Sequence, residues 1–201
     1  MPKVTFFNLP DDKQDKLIHA AKEEFSRVPL AKASISNIVN AAQIPRGSFY
    51  QYFEDKSDAF FYLLNIKIQE NRERMVELIQ KNEGDIFKTI SDLFEYLITE
   101  QDQNLHFMKN IFLNMDHRIE HEFERSFHWY DTDKQMDELN QMINKRNLNM
   151  ENEDEYKYII KILGSVLIRS VIEKYSLDLS IEKAIQEFSK EMDLLKKGLQ
   201  K

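Results

Sequence analysis

The sequence predicts an all-α protein of about nine helices. Glycine and proline number only four each among 201 residues, which leaves little material for the turns of a sheet protein. Apolar residues also recur at helical spacing, as in Leu17, Ala21 and Phe25. We expect an N-terminal three-helix domain at residues 1–55 and a C-terminal helical domain at residues 56–201.

Proline and carboxylate signals define the first three helices, expected at about residues 11–27, 34–43 and 45–52. Pro10 with the two aspartates that follow it is a helix start, and Ser34 is a predicted N-cap. The remaining helices are expected at about residues 56–81, 86–100, 104–114, 117–147, 155–175 and 181–199.

The last two helices carry the strongest apolar signals. The helix at 155–175 is apolar around most of its circumference, and the final helix has a seam of alternating four- and three-residue spacing. Helices of this kind fit a four-helix bundle formed across a twofold axis, although a purely intrachain core is the alternative. The residues predicted for the dimer interface are Ile160, Leu163, Gly164, Leu167, Val171, Ile185, Phe188, Met192 and Leu195.

Charge and composition exclude several classes of protein. The absence of cysteine excludes disulfides, thiolate metal sites and thiol nucleophiles. No uncharged apolar run of about 18 residues is present, and no export signal is recognisable at the N-terminus, so we expect a cytoplasmic protein without a membrane span. The net charge is −7, but residues 1–58 carry eight basic and eight acidic side chains, so the N-terminal part is neutral and the remainder acidic.

Residues 45–53, PRGSFYQYF, are predicted to be the second helix of a helix-turn-helix. In that motif the second helix enters the DNA major groove. Arg46 can reach a guanine edge or a phosphate, and Gly47 lets the backbone approach the duplex closely. The polar groups of this segment therefore indicate a DNA-reading surface.

A resemblance supports this interpretation. The 36 residues from Phe25 to Phe60 align without a gap on the pattern of the TetR-family DNA-binding domain, and the chain resembles that family. The matching residues are Phe25, Ser34, Ile35, Ile38, Ala42, Ile44, Gly47, Phe49, Tyr50, Tyr52, Phe53 and Lys56.

The departures from the family pattern are informative. Gln43 stands where the family usually has the turn glycine, which costs roughly 1 kcal/mol if that position needs a left-handed backbone. Pro45 replaces the usual serine but remains a helix-starting residue. Val39 stands where the family usually has alanine, and Ala59 stands where it usually has leucine. These replacements redistribute side-chain volume within the core and leave the DNA face unchanged.

The resemblance implies a role for each matching position. Arg46, Ser48 and Gln51 are expected to face the groove and read bases. Phosphates are expected to be held by Tyr50, Tyr52, Lys56 and the N-terminus of the helix that Ser34 caps. The rings of Phe49 and Phe53 are expected to pack inward. For the two tyrosines, the alternative is an ordinary surface or core aromatic. The full predicted DNA-binding set is Ser34, Ser36, Asn37, Pro45, Arg46, Gly47, Ser48, Tyr50, Gln51, Tyr52 and Lys56.

Two further groups of residues are candidate sites. His117, His121, Glu124 and His128 lie on one helical stripe, which can hold a metal, but a solvated or interface face is the interpretation we prefer. Tyr96, Phe107, Phe112 and Trp129 are the predicted ligand-binding residues, since family members usually bind small molecules between these helices. Aromatic residues at helical spacing are nonetheless more often core than ligand contacts.

The sequence thus predicts a sequence-specific transcriptional regulator, not an enzyme. We expect a homodimer that represses from a pseudo-palindromic operator and is released by a small-molecule effector, with no metal, cofactor or membrane partner. The rivals are an enzyme or metal protein that uses the histidine stripe, and a helical interaction protein that no longer binds DNA.

Overall fold

The structure is a computed structural model that describes residues 1–99, 103–127, 141–152 and 155–199. This part of the chain forms ten α-helices and two short 3-10 turns. The helices are α1 Val4–Phe7, α2 Asp11–Arg27, α3 Ile35–Ala41, α4 Arg46–Tyr52, α5 Lys56–Lys81, α6 Ile86–Thr99, α7 Gln103–Leu113, α8 His117–Phe127, α9 Tyr156–Ser176 and α10 Ile181–Leu199.

The chain divides into two compact units, and α5 supplies residues to both. Unit 1 contains Met1–Gln69 and α7, and its core is built on aromatic rings. The rings of Phe25 and Phe60 meet edge to face with centroids 5.2 Å apart, and Phe60 also contacts Phe107 of α7 at 5.9 Å. Helix α2 packs against both α3 and α7, so it is the central element of unit 1.

Unit 2 contains the remainder of α5 together with α6, α8, α9 and α10. Helix α6 packs against α9 and α10, and the rings of Phe94 and Phe188 stack at 4.1 Å in this interface. The Tyr175 hydroxyl donates a hydrogen bond to the Leu97 carbonyl at 3.1 Å, which fixes α9 against α6. None of the described helices combines the length and the hydropathy of a membrane span.

The predicted all-α class, with an N-terminal helix-turn-helix and a C-terminal helical body, is confirmed. The helices expected at 11–27, 56–81 and 181–199 begin and end within one residue of their predicted bounds. The sequence did not predict α1, because four residues are too few to show helical periodicity.

The helix expected over 117–147 was predicted to end too late, since residues 143–147 are not α-helical. Helix α8 is described as far as Phe127, but the chain bends at Ile143 and forms a 3-10 turn at Lys145–Asn147. The Asn144 side chain accepts a hydrogen bond from the Arg146 amide at 3.2 Å, and this local bond competes with the helical ladder.

Candidate nucleic-acid interface

One side of α4 faces outward while the other anchors the helix. Arg46, Gly47, Tyr50 and Gln51 are exposed, whereas the Phe49 ring is fully buried. At about 100° per residue, the four exposed positions span an arc of about 140°. Helix α4 is therefore held in the fold by its buried side and exposes a continuous polar strip on the other side.

The turn before α4 has a left-handed residue. Gln43 has φ of 56°, so it occupies the conformation that the family pattern fills with glycine. The amide of Ile44 donates to the Val39 carbonyl at 3.0 Å, which closes the end of α3. Pro45 is the N-cap of α4 with φ of −61°, a value that the proline ring favours.

A hydrogen bond connects the beginnings of the two helices of this motif. The Arg46 guanidinium donates from Nη1 to the hydroxyl of Ser36, one residue into the first turn of α3. Ser36 is half-buried and Arg46 is exposed. The contact links exposed Arg46 at the start of α4 to the first turn of α3.

Glu24 of α2 holds the start of α3, a role that the sequence pattern did not indicate. One carboxylate oxygen accepts from the Ser34 amide at 2.8 Å, and both oxygens lie 3.2 Å from the Asn37 amide nitrogen. The Arg27 guanidinium completes the set at 2.7 Å. Burial alone would raise the pKa of Glu24, but the hydrogen bonds from Arg27, Ser34 and Asn37 outweigh it, so the pKa lies below its ordinary value.

Two predicted phosphate contacts have partners inside the chain. Ser34 is the N-cap of α3, as expected, but its hydroxyl makes no capping bond, and Glu24 binds its amide instead. The Lys56 ammonium donates to the carbonyls of Ala31 and Ala33 at 2.8 and 2.9 Å. Lys56 therefore fastens the α2–α3 connection to the start of α5.

Among the residues that the structure describes, none requires a glycine at position 47. Its φ is not in the left-handed region, and a Cβ placed on it would meet no atom within 4 Å. Glycine in a helix costs about 1 kcal/mol relative to alanine. The free space lies on the outward side of α4, between exposed Arg46 and half-buried Ser48.

The C-terminal end of α4 contacts a group of residues that the sequence did not single out. We call Lys3, Thr5 and Phe6 the N-terminal brace. Its polar groups bond to the last carbonyls of α4, and Phe6 is fully buried. The one available signal was the apolar patch Val4–Phe7, which is too short for helical or strand periodicity to be recognised.

The predicted ligand-binding residues belong to different units of the chain. Phe107 and Phe112 belong to α7 in unit 1, where both are buried, whereas Tyr96 belongs to α6 in unit 2. The Arg74 guanidinium lies over the Tyr96 ring at 5.0 Å. Trp129 lies outside the described residues.

Most of the residues predicted for the dimer interface are buried within the described part of the protomer. Ile185 and Leu195 are half-buried. The buried ones are Ile160, Leu163, Gly164, Leu167, Val171, Phe188 and Met192. The exposed apolar side chains of α9 and α10 are instead Tyr158, Ile162, Ile181 and Leu194.

The histidine stripe begins on the surface of α8. His117 and His121 are exposed, and His128 lies outside the described residues. Within the described part of the chain, no group of three or more histidine, aspartate or glutamate side chains is arranged to hold a metal ion.

Comparison with protein families gives two matches. The model described as "Bacterial regulatory proteins, tetR family" matches residues 17–63, which include the polar strip of α4. The model described as "Tetracyclin repressor-like, C-terminal domain" matches residues 85–199, more than half of the chain. Among curated proteins, an uncharacterised HTH-type transcriptional regulator, YvdT of Bacillus subtilis, is 30% identical over 123 residues. That match spans 60% of each chain.

Solved structures share the fold at low sequence identity. The repressor SmeT of a Stenotrophomonas maltophilia multidrug efflux pump has a TM-score of 0.67 at 14% identity, over 95% of this chain and 93% of its own. NalD of Pseudomonas aeruginosa, a secondary repressor of an efflux pump, has a TM-score of 0.65 at 14% identity, over 95% and 97% of the two chains. A regulator from Mesorhizobium loti has a TM-score of 0.66 at 15% identity, over 94% and 98%.

Proposed function

Since the chain belongs to the TetR family of bacterial transcriptional regulators, we propose that it represses transcription as a homodimer that binds operator DNA through α4. The observation that carries the proposal is Gly47. An exposed helical glycine with open space around it lowers helix stability and satisfies no packing need of the chain. Close approach of a DNA backbone to α4 explains why a glycine stands at this position.

The neighbouring side chains fit the same role. Arg46 is positioned by Ser36 to read a guanine edge in the major groove. Tyr50 and Gln51 add a hydroxyl and an amide to the exposed strip. Tyr52 and Ser48 lie at the border of the strip and are half-buried. We therefore assign both to contacts with the DNA backbone, although Ser48 was expected to read bases.

Gly47→Ala tests the proposal with little risk to folding. DNA bound by the wild-type chain is first identified by sequencing the genomic fragments that it retains. We expect Gly47→Ala to keep or slightly raise thermal stability, because alanine is the better helix former and has room, yet to weaken DNA binding at least tenfold. Gly198→Ala is the control, since Gly198 is equally uncrowded but lies near the end of α10. Equal DNA affinity of both variants and the wild type would contradict the proposal.

Arg46→Ala tests base reading separately from backbone binding. We expect a loss of about 1–3 kcal/mol in binding free energy and a relaxed preference at one base position. Binding should also fall steeply as salt rises, because a dimer with a net charge near −14 is held to DNA only by its local phosphate contacts. An unchanged sequence preference would remove Arg46 from the reading role.

The proposed dimer face is an exposed stripe on α9. Tyr158, Ile162, Ser165 and Arg169 follow one another at spacings of four, three and four, and all four are exposed. Tyr158 and Ile162 are 58% and 41% exposed, high values for large apolar side chains in a folded protomer. Ile162→Glu should convert the dimer to a monomer in light scattering, whereas Leu177→Glu, off the stripe at the C-cap of α9, should not.

Effector release is the last part of the proposal. In unit 2 the Tyr156 hydroxyl is buried and has no hydrogen-bond partner among the described residues, and such a group is available to a ligand. Lys145 adds a cation over the same ring at 4.6 Å. Compounds that raise the melting temperature should weaken operator binding. If every stabilising compound left DNA affinity unchanged, release by an effector would be ruled out.

A further inference from the structure

Helix α4 cannot complete its own hydrogen bonding at the C-terminal end. Every helix leaves its last carbonyls without intrahelical donors. In α4 the final internal bond runs from the Phe53 amide to the Phe49 carbonyl at 2.9 Å. The carbonyls of Tyr50, Gln51 and Tyr52 therefore need donors from outside the helix.

The N-terminal brace provides one donor for each of these carbonyls. The Lys3 ammonium donates to Tyr50 and the Lys3 amide to Tyr52, both at 2.8 Å. The Thr5 hydroxyl donates to the Gln51 carbonyl. Lys3 also places a positive charge at the negative end of the helix dipole, which stabilises the helix further.

Phe6 holds the brace in place. Its ring is fully buried, with its centroid 5.2 Å from that of Phe53 and 5.4 Å from that of Tyr62 in α5. The brace is thus anchored on the residue that ends α4 and on the next helix of unit 1. Its two polar side chains can be altered while the Phe6 anchor is retained.

The need for such a cap follows from the shape of α4. Seven residues are too few to be stably helical alone. The residue after the helix is Phe53 in an extended conformation, so the usual left-handed glycine cap is absent here. The last turn of α4 carries Gln51 and Tyr52, two of the proposed DNA-contacting residues.

We propose that Lys3 and Thr5 are positioning residues that keep the last turn of α4 helical and thereby set operator affinity. The inference rests on the proposed DNA-binding role of α4. The two residues act through the carbonyls of α4. A chain that lacks the brace must order this turn when it binds DNA, and the ordering weakens binding.

The decisive variant is Thr5→Val in the full-length chain, with Thr5→Ser as the conservative rescue. We expect amide hydrogen exchange in residues 49–53 to accelerate about tenfold in Thr5→Val, while the amides of α2 keep their wild-type rates. Affinity for DNA retained by the wild type should fall about three- to tenfold. Thr5→Ser should restore both quantities, because it keeps the hydroxyl donor.

Lys3→Met is the second variant, and Lys13→Met is its charge-matched control, since Lys13 is exposed and belongs to α2 rather than to the brace. Lys3→Met should accelerate exchange in α4, whereas Lys13→Met should not.

The slope of DNA affinity against salt concentration should be unchanged in Thr5→Val, because no phosphate contact is removed.

Two results would overturn the inference. One is an unchanged exchange rate in α4, or an acceleration shared equally by all helices of unit 1. The other is wild-type DNA affinity in Thr5→Val. If the wild-type chain binds no DNA at all, the proposed function fails, and the exchange measurements still decide whether the brace holds α4.

Discussion

Asn110 of α7 donates a hydrogen bond from its side-chain amide to the backbone carbonyl of Phe25 in α2 at 2.6 Å. The helical partner of that carbonyl would be the amide of residue 29, but Pro29 has no N–H. Phe25 is fully buried, so water cannot easily replace the missing donor. The proline that ends α2 is therefore compensated by a side chain 85 positions away in the sequence.

Asn110→Ala should lower the free energy of unfolding by about 1–2 kcal/mol, because it leaves a buried carbonyl without a donor. Asn40→Ala is the control, since exposed Asn40 lies in α3 and gains the same helix propensity without losing such a bond. Urea denaturation of the two variants measures the difference. Equal stabilities would show that the bond to Phe25 contributes nothing.

Glu24→Gln should destabilise unit 1 by about 1–3 kcal/mol at neutral pH. Glutamine keeps the size of the side chain but loses the charge that strengthens the bonds from Arg27, Ser34 and Asn37. Glu23→Gln is the matched control, because the neighbouring Glu23 side chain is 53% exposed and makes only a 3.9 Å contact with His19. Equal thermal stability of the two variants would contradict the role of Glu24.

The same carboxylate predicts a pH dependence. The pKa of Glu24 is lowered in the folded chain from an ordinary value of 4.5, so its stabilisation is present above pH 4.5. It is lost as the pH falls through the lower, folded-state pKa. The loss of stability on acidification should therefore be shallower in Glu24→Gln than in Glu23→Gln when unfolding is followed between pH 6 and about pH 3.

The sequence predicted those features that depend on near neighbours. The beginning of α2 follows from Pro10 and its two aspartates, and the strip on α4 follows from the register of the resemblance. The sequence raised a left-handed backbone at Gln43 only as a condition, because the family position is usually glycine, and the structure shows that Gln43 adopts it.

The features that it did not predict depend on contacts between distant residues. Thr5 bonds to Gln51, 46 positions later, and no periodicity reports such a pairing. The break near Asn144 likewise depends on its amide donating to the Gly84 carbonyl at 2.9 Å. The burial of Leu163 inside the protomer also could not be predicted from the pattern. An apolar helix has the same pattern whether it packs within its own chain or against a second chain.

Gln43→Gly should stabilise the chain by about 0.5–1 kcal/mol. The relief of a left-handed conformation is worth about 1–2 kcal/mol, and the added entropy of an unfolded glycine offsets part of it. Gln43→Ala keeps the strain and should give no gain. The melting temperatures of the two variants measure the difference. If alanine raised the melting temperature as much as glycine, strain at Gln43 would not be the explanation.

Gly84→Ala should be the most damaging of these substitutions, at about 3 kcal/mol. Gly84 ends the turn after α5 with φ of +82°, and a Cβ there would lie 2.5 Å from the Met142 carbonyl oxygen and 2.7 Å from the Asn144 amide nitrogen. Both are backbone atoms, so the clash can be relieved only by moving the chain at residues 142–144 away from the turn. That movement would also break the bond from the Asn144 amide to the Gly84 carbonyl. Gly198→Ala is again the control, and if both variants melted at the wild-type temperature, close packing of the chain at 142–144 against this turn would be disproved.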